Sequence, residues 1–101
     1  MARKSYIRGA IRTFVEKNSV LFVQWPNWYV GITNNINKRL GQHQSKLGRQ
    51  LQVFNYWEAE HVDHAVDLEK EFLEMGMKGA GGGWAQNSFY IYVYKLKGPG
   101  A

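Results

Sequence analysis

Helical and strand-like periodicities change places repeatedly within 101 residues, and that alternation restricts the chain to a small mixed fold. Residues 3–17 carry Tyr6, Ile7, Ala10, Ile11 and Phe14 at helical spacing, and Asn18-Ser19 ends the run. Val20-Leu21-Phe22-Val23 and Tyr29-Val30-Gly31-Ile32 are β-rich runs on either side of Trp25-Pro26-Asn27, which reads as a hairpin turn. Thr33 or Asn34 can cap a second helix reaching about Leu47, with Ile36, Leu40 and Leu47 on one side and Gly48 as its stop. Residues 52–57 are a third strand candidate, and a third helix spans residues 63–75 before Gly76. Residues 79–83 form a glycine-rich loop, and residues 88–97 alternate as a last strand. Short antiparallel strands interleaved with helices predict an α+β fold, a small central antiparallel sheet flanked by helices. The length fits a single domain over residues 1–101: a helical extension (1–18), a core (19–97) and a frayed tail (98–101).

Composition narrows the function classes. A hydrophobic content of 45% is too high for a disordered chain. The absence of cysteine removes a disulfide framework and a thiolate zinc site, and fits a reducing compartment. Charges interrupt every apolar stretch, so no signal peptide or membrane span is expected, and the expected location is the cytoplasm. The net charge of +5 is unevenly spread: residues 1–50 hold nine Lys or Arg against one acid, Glu16, whereas residues 51–101 hold four against seven. A basic half is the footprint of a phosphate-backbone binder, although a solvated basic surface would look the same.

Two positions do not fit a plain core. On the third helix Val62, Ala65, Val66, Phe72 and Leu73 define an apolar stripe, and Glu69 projects inside it while Lys70, Glu71 and Glu74 fall off it. A carboxylate there needs a partner, a metal or a water-lined cleft. On the second helix His43 lies within the Ile36–Leu40–Leu47 stripe, with Arg39 one turn earlier at its border. Such a pair is either a satisfied core histidine beside an arginine or a phosphate grip. Residues 79–83 lack the Gly-Lys-Ser/Thr ending of a phosphate loop, and His61, Asp63 and His64 read as polar surface. The tryptophans and the tyrosines of residues 90–94 can stack bases, but in so small a chain most must build the core.

The segment from Trp28 through Tyr29-Val30-Gly31-Ile32 to Arg39 and His43 resembles the second half of the GIY-YIG nuclease signature. In that family a Tyr-(Ile/Val)-Gly strand leads into a helix with an Arg eight residues after the Gly, and commonly a His one turn later. Gly31, Arg39 and His43 stand at those spacings. The family's metal-binding Glu lies in a Leu-Glu-x-x-apolar-apolar pattern, which Leu68-Glu69-Lys70-Glu71-Phe72-Leu73 matches, and Asn87 is the counterpart of a late polar Asn. The first motif, Gly-Ile-Tyr, belongs on the strand that partners Tyr29. Here Val20-Leu21-Phe22-Val23-Gln24 stands in its place, with neither Gly nor Tyr, and the expected hairpin sets Tyr29 opposite Gln24.

The resemblance implies a metal-dependent endonuclease that hydrolyses phosphodiesters, DNA rather than RNA, with Glu69 holding Mg²⁺ or Mn²⁺. Arg39 would neutralise charge on the phosphoryl oxygens, Tyr29 or His43 would orient or deprotonate water, and Gly31 would allow a close approach to a phosphate or a packed neighbour. Lys38, Lys46, Arg49 and Asn87 would contact nucleic acid. Lacking the first-motif Tyr, the chain could instead be a non-catalytic DNA- or RNA-binding domain on the nuclease fold. So small a chain covers little nucleic acid, which leaves a homo-oligomer open.

Overall fold

The computed structural model describes residues 3–47, 53–79 and 89–96. Helix α1 spans Lys4–Lys17, strand β1 Trp28–Thr33, helix α2 Ile36–Leu47, strand β2 Phe54–Glu58, helix α3 Val62–Glu74 and strand β3 Tyr90–Lys95. The fold is α+β, as the alternating periodicities imply.

Side chains close the helix ends. Asn18 donates from Nδ2 to the Phe14 carbonyl at 2.8 Å and Ser19 from Oγ to that of Val15 at 2.6 Å, adding side-chain donors to carbonyls of the last turn of α1 that the Asn18 N–H shares at 3.2 Å. Asn35, just beyond either expected cap, starts α2: its Oδ1 accepts the Lys38 N–H at 3.0 Å. At the end of α3, Gly76 takes φ +117°, and the N–H groups of Gly76 and Met77 donate to the carbonyls of Leu73 and Phe72. That pattern is a Schellman turn, and its left-handed position suits glycine.

The sheet is antiparallel with order β1-β3-β2, so the last strand lies in the middle. Strand alternation sends successive side chains to opposite faces. Trp28, Val30 and Ile32 of β1, with Ile91 and Val93 of β3, form one core with Ile7, Ile11 and Val15 of α1 and Ala65, Leu68 and Phe72 of α3. Phe14 sets its ring edge-on to Trp28 and Trp57, at 5.7 and 5.9 Å between centroids. On this side the Lys95 ammonium is buried but donates to the Asn18 carbonyl at 2.8 Å, so its charge meets the negative end of α1. The opposite face carries Tyr29, Gly31, Tyr92 and Tyr94, and α2 brings His43 against it.

The expected hairpin at Trp25-Pro26-Asn27 does not form. Those residues make a single 3-10 turn, with the Asn27 N–H donating to the Gln24 carbonyl at 2.9 Å. Residues 20–24 are not a strand: Val20, Leu21 and Phe22 are 54%, 95% and 65% exposed. Both edges of β1 are taken. One pairs with β3 along its length, and the other meets Lys78, whose N–H donates to the Trp28 carbonyl at 2.8 Å and whose carbonyl accepts the Val30 N–H at 2.9 Å. Tyr29 therefore sits opposite Tyr94, not Gln24.

The described parts of the expected second and third helices, and of the strands expected over residues 52–57 and 88–97, agree with α2, α3, β2 and β3 within a few residues. Gly48, most of the glycine-rich loop and the tail lie outside the described residues.

Candidate active site

Three tyrosines and one histidine meet on the α2 face of the sheet. Tyr29 and Tyr94 are register partners, and their rings stack at 4.9 Å and 19°. Tyr92 lies next along β3, 6.3 Å from Tyr29 and nearly parallel to it. His43 projects from α2 onto this group. Its ring meets Tyr29 edge-on at 4.9 Å, its Nε2 is 2.8 Å from the Tyr92 hydroxyl and its Nδ1 is 3.0 Å from the Tyr94 hydroxyl.

Burial, then the charges of Arg39 and Lys46, hold the His43 pKa below its ordinary value, so the neutral ring is favoured. A neutral imidazole has one N–H donor and one acceptor nitrogen, so it donates to one phenol and accepts from the other. Burial, with the Tyr29 phenol as the next cause, pushes Tyr94 up to about 12. Burial also raises Tyr92 above the ordinary phenol range, with smaller contributions from Tyr29, Tyr94 and Glu69, against a lowering by Arg39. Both phenols keep their protons at neutral pH.

His43 bonds to the Tyr92 hydroxyl and Tyr29 stacks beside its ring, while the charges of Arg39 and Glu69 shift its pKa in opposite directions. Gly31 lies directly across from it in register, and a Cβ there would overlap the Tyr92 Oη and Cζ. The close approach made by Gly31 is to this ring.

Glu69 is 5% exposed, on the same turns of α3 as Leu68 and Phe72. Among the described residues no hydrogen bond or ion pair engages its carboxylate, and burial raises its pKa. Its neighbour Glu71, off the stripe, accepts two hydrogen bonds from Arg8 at 2.6 and 3.0 Å. No group of three His, Cys, Asp or Glu side chains converges among the described residues. A cation here would take one carboxylate from the protein and fill its shell with water or substrate oxygens, which suits Mg²⁺ or Mn²⁺ better than a metal wanting a full protein cage.

The basic half of the sequence divides in space. Lys4 pairs with Asp67 at 3.1 Å and Arg8 with Glu71, so α1 directs these two charges at α3. Helix α2 contains Lys38, Arg39 and Lys46 and no acid, and both lysines are exposed. Arg49 and Asn87 lie outside the described residues. His61 and His64 face each other at 5.2 Å, and the buried Nδ1 of His64 has no partner, but no third ligand joins them among the described residues.

Tyr92 and Tyr94 are site residues that the sequence offers only as possible base-stacking or core aromatics. Their signal was present in the Tyr90-x-Tyr92-x-Tyr94 alternation, which puts three phenols on one face of a strand.

No helix among the described residues is long and apolar enough to cross a membrane. No curated protein and no solved structure shows a significant match to the chain. The family model of the GIY-YIG catalytic domain matches residues 12–75, which contain Tyr29, Gly31, Arg39, His43 and Glu69. With more than half of its length matched, and with the α+β architecture described above, the chain belongs to the GIY-YIG family, a family of nucleases.

Proposed function

We propose that the chain is a metal-dependent endonuclease that hydrolyses phosphodiester bonds, in DNA rather than RNA. The observation that carries this reading is Glu69, a residue buried on the apolar stripe of α3 whose carboxylate meets no hydrogen-bonding or ion-pair partner among the described residues. A structural carboxylate would be paired, as Glu71 is.

Glu69 would hold Mg²⁺ or Mn²⁺, and the bound cation would supply Lewis-acid polarisation of the phosphoryl group. Arg39 offers a planar guanidinium to the charge that grows on the phosphoryl oxygens. Tyr29 or His43 orients or deprotonates the attacking water. Lys38 and Lys46, exposed on the acid-free helix α2, contact the phosphate backbone beside the scissile bond. Arg49 and Asn87 are assigned to nucleic-acid contact on sequence grounds alone.

The test is cleavage of plasmid and single-stranded DNA, and of RNA, with Mg²⁺ or Mn²⁺, by the wild type beside Glu69→Gln. Metal-dependent cleavage that disappears in the variant is expected. Binding without cleavage in either protein would make the chain a nucleic-acid-binding domain on the nuclease fold.

A further inference from the structure

The geometry points to a division of labour between two tyrosines of the last strand: Tyr92 is a catalytic residue, and Tyr94 is a positioning residue that acts on it through His43. The inference rests on the nuclease reading. It concerns residues outside the stretch that the family match covers, residues 12–75.

The two hydroxyls reach opposite nitrogens of one imidazole, Tyr92 at Nε2 and Tyr94 at Nδ1. They are not equivalent. The charges of Arg39 and Glu69, the groups assigned to phosphate and cation, both bear on the Tyr92 hydroxyl, whereas burial and the Tyr29 phenol are what act on Tyr94. Tyr92 also lies against the bare backbone of Gly31, which leaves its ring the room to occupy that position. A neutral imidazole can accept at one nitrogen only. If Nδ1–H donates to the Tyr94 Oη, then Nε2 presents its lone pair to the Tyr92 O–H. Tyr94 thereby selects the tautomer that can receive a proton from Tyr92.

The oxygen of the attacking water bonds to phosphorus while the bond from phosphorus to the leaving oxygen breaks. The water's proton passes to the Tyr92 Oη as the phenol's own proton passes to His43 Nε2, so the phenol is regenerated and the imidazole becomes imidazolium. The leaving oxygen takes a proton from solvent, and the imidazolium returns its proton to solvent.

Nitrogen-15 NMR of the imidazole reads the tautomer in the intact protein with no substrate present. His43 is expected as the Nδ1–H tautomer in wild type, shifting towards Nε2–H in Tyr94→Phe. Cleavage kinetics supply the other half: Tyr92→Phe should lower kcat by about a hundredfold or more, and Tyr94→Phe by less, both with folds intact by thermal melt. An Nε2–H His43 in the wild type overturns the proposal whether or not the chain cuts. Tyr92→Phe cutting at the wild-type rate while Glu69→Gln is inactive overturns it too, and leaves the nuclease reading standing. Loss of cleavage in Glu69→Gln with a correct tautomer supports both. A wild type that never cuts ends the nuclease reading and the catalytic role of Tyr92 with it, and the tautomer is then decided on its own.

Discussion

Gly31 and Tyr92 are partners across β1 and β3, and the phenol of Tyr92 occupies the space that a side chain on Gly31 would need. The glycine of the Tyr-Val-Gly run and the tyrosine of the last strand are therefore one steric unit, although 60 residues separate them in sequence.

Gly31→Ala tests that unit. The added Cβ overlaps the ring of Tyr92, which is 3% exposed and held by His43, so the ring has little freedom to retreat. A loss of about 1–3 kcal/mol is expected, as for overpacking elsewhere, with cleavage falling further than stability does. Denaturant melts beside a cleavage assay check it. A variant as stable and active as wild type would mean that the ring has another place to go.

Glu69→Gln should melt at or above the wild-type temperature at neutral pH. Burial raises the folded-state pKa of Glu69. The stability linked to that group is thus fully present below the unfolded pKa and is lost as pH rises through the folded one. The advantage of the variant should accordingly grow from acid to neutral pH. Added Mn²⁺ should raise the melting temperature of wild type, by the equivalent of about 2.7 kcal/mol at a hundred times Kd, and leave the variant unmoved. Leu68→Ala is the contrast: fully buried beside Glu69, it should cost about 2–5 kcal/mol. A Glu69→Gln protein that melts well below wild type would identify Glu69 as a structural ion-pair partner.

His43 contributes an acid-sensitive part of stability. Its folded pKa is depressed by burial and by the charges of Arg39 and Lys46. The unfolded chain therefore takes up more protons, and stability present above about pH 6.5 falls as pH drops through the folded pKa. In His43→Gln this component should vanish, leaving a shallower fall in melting temperature between about pH 7 and about pH 5. An identical acid profile in the two proteins would refute it.

The basic residues of α1 and α2 should behave differently in a binding assay. Lys38→Ala and Lys46→Ala should each weaken DNA binding and flatten its salt dependence by up to about one unit in log–log slope. Arg8→Ala should leave the slope unchanged, because its guanidinium is committed to Glu71. That pair is about a third exposed, so its loss should lower stability by no more than about 1 kcal/mol after solvent screening. Salt titrations of the three variants decide it; an equal effect from Arg8→Ala would place α1 in the interface.

The three helices were legible because each announces itself within a few residues: an apolar stripe at 3.6-residue spacing, Asn18-Ser19 to end α1, Gly76 to end α3. Glu69 stood out by the same local rule, as an acid inside an apolar stripe, and it is buried there. Residues 20–24 look like a strand and are not one, because β propensity is local while strand pairing is not. Val20 to Val23 is as β-prone as β1, but Lys78 and β3 occupy both edges of β1, and no periodicity records that competition. The alternation of Tyr90, Tyr92 and Tyr94 is local and legible, but that two of these phenols meet His43 depends on pairing that is not. The sequence determined the elements and marked Glu69, Arg39 and His43 as out of place, since burial patterns and turn residues act over one or two turns of chain. Only the tertiary structure decided that the last strand would run through the middle of the sheet. That choice sets two phenols against His43, and it depends on contacts between residues some 50 positions apart.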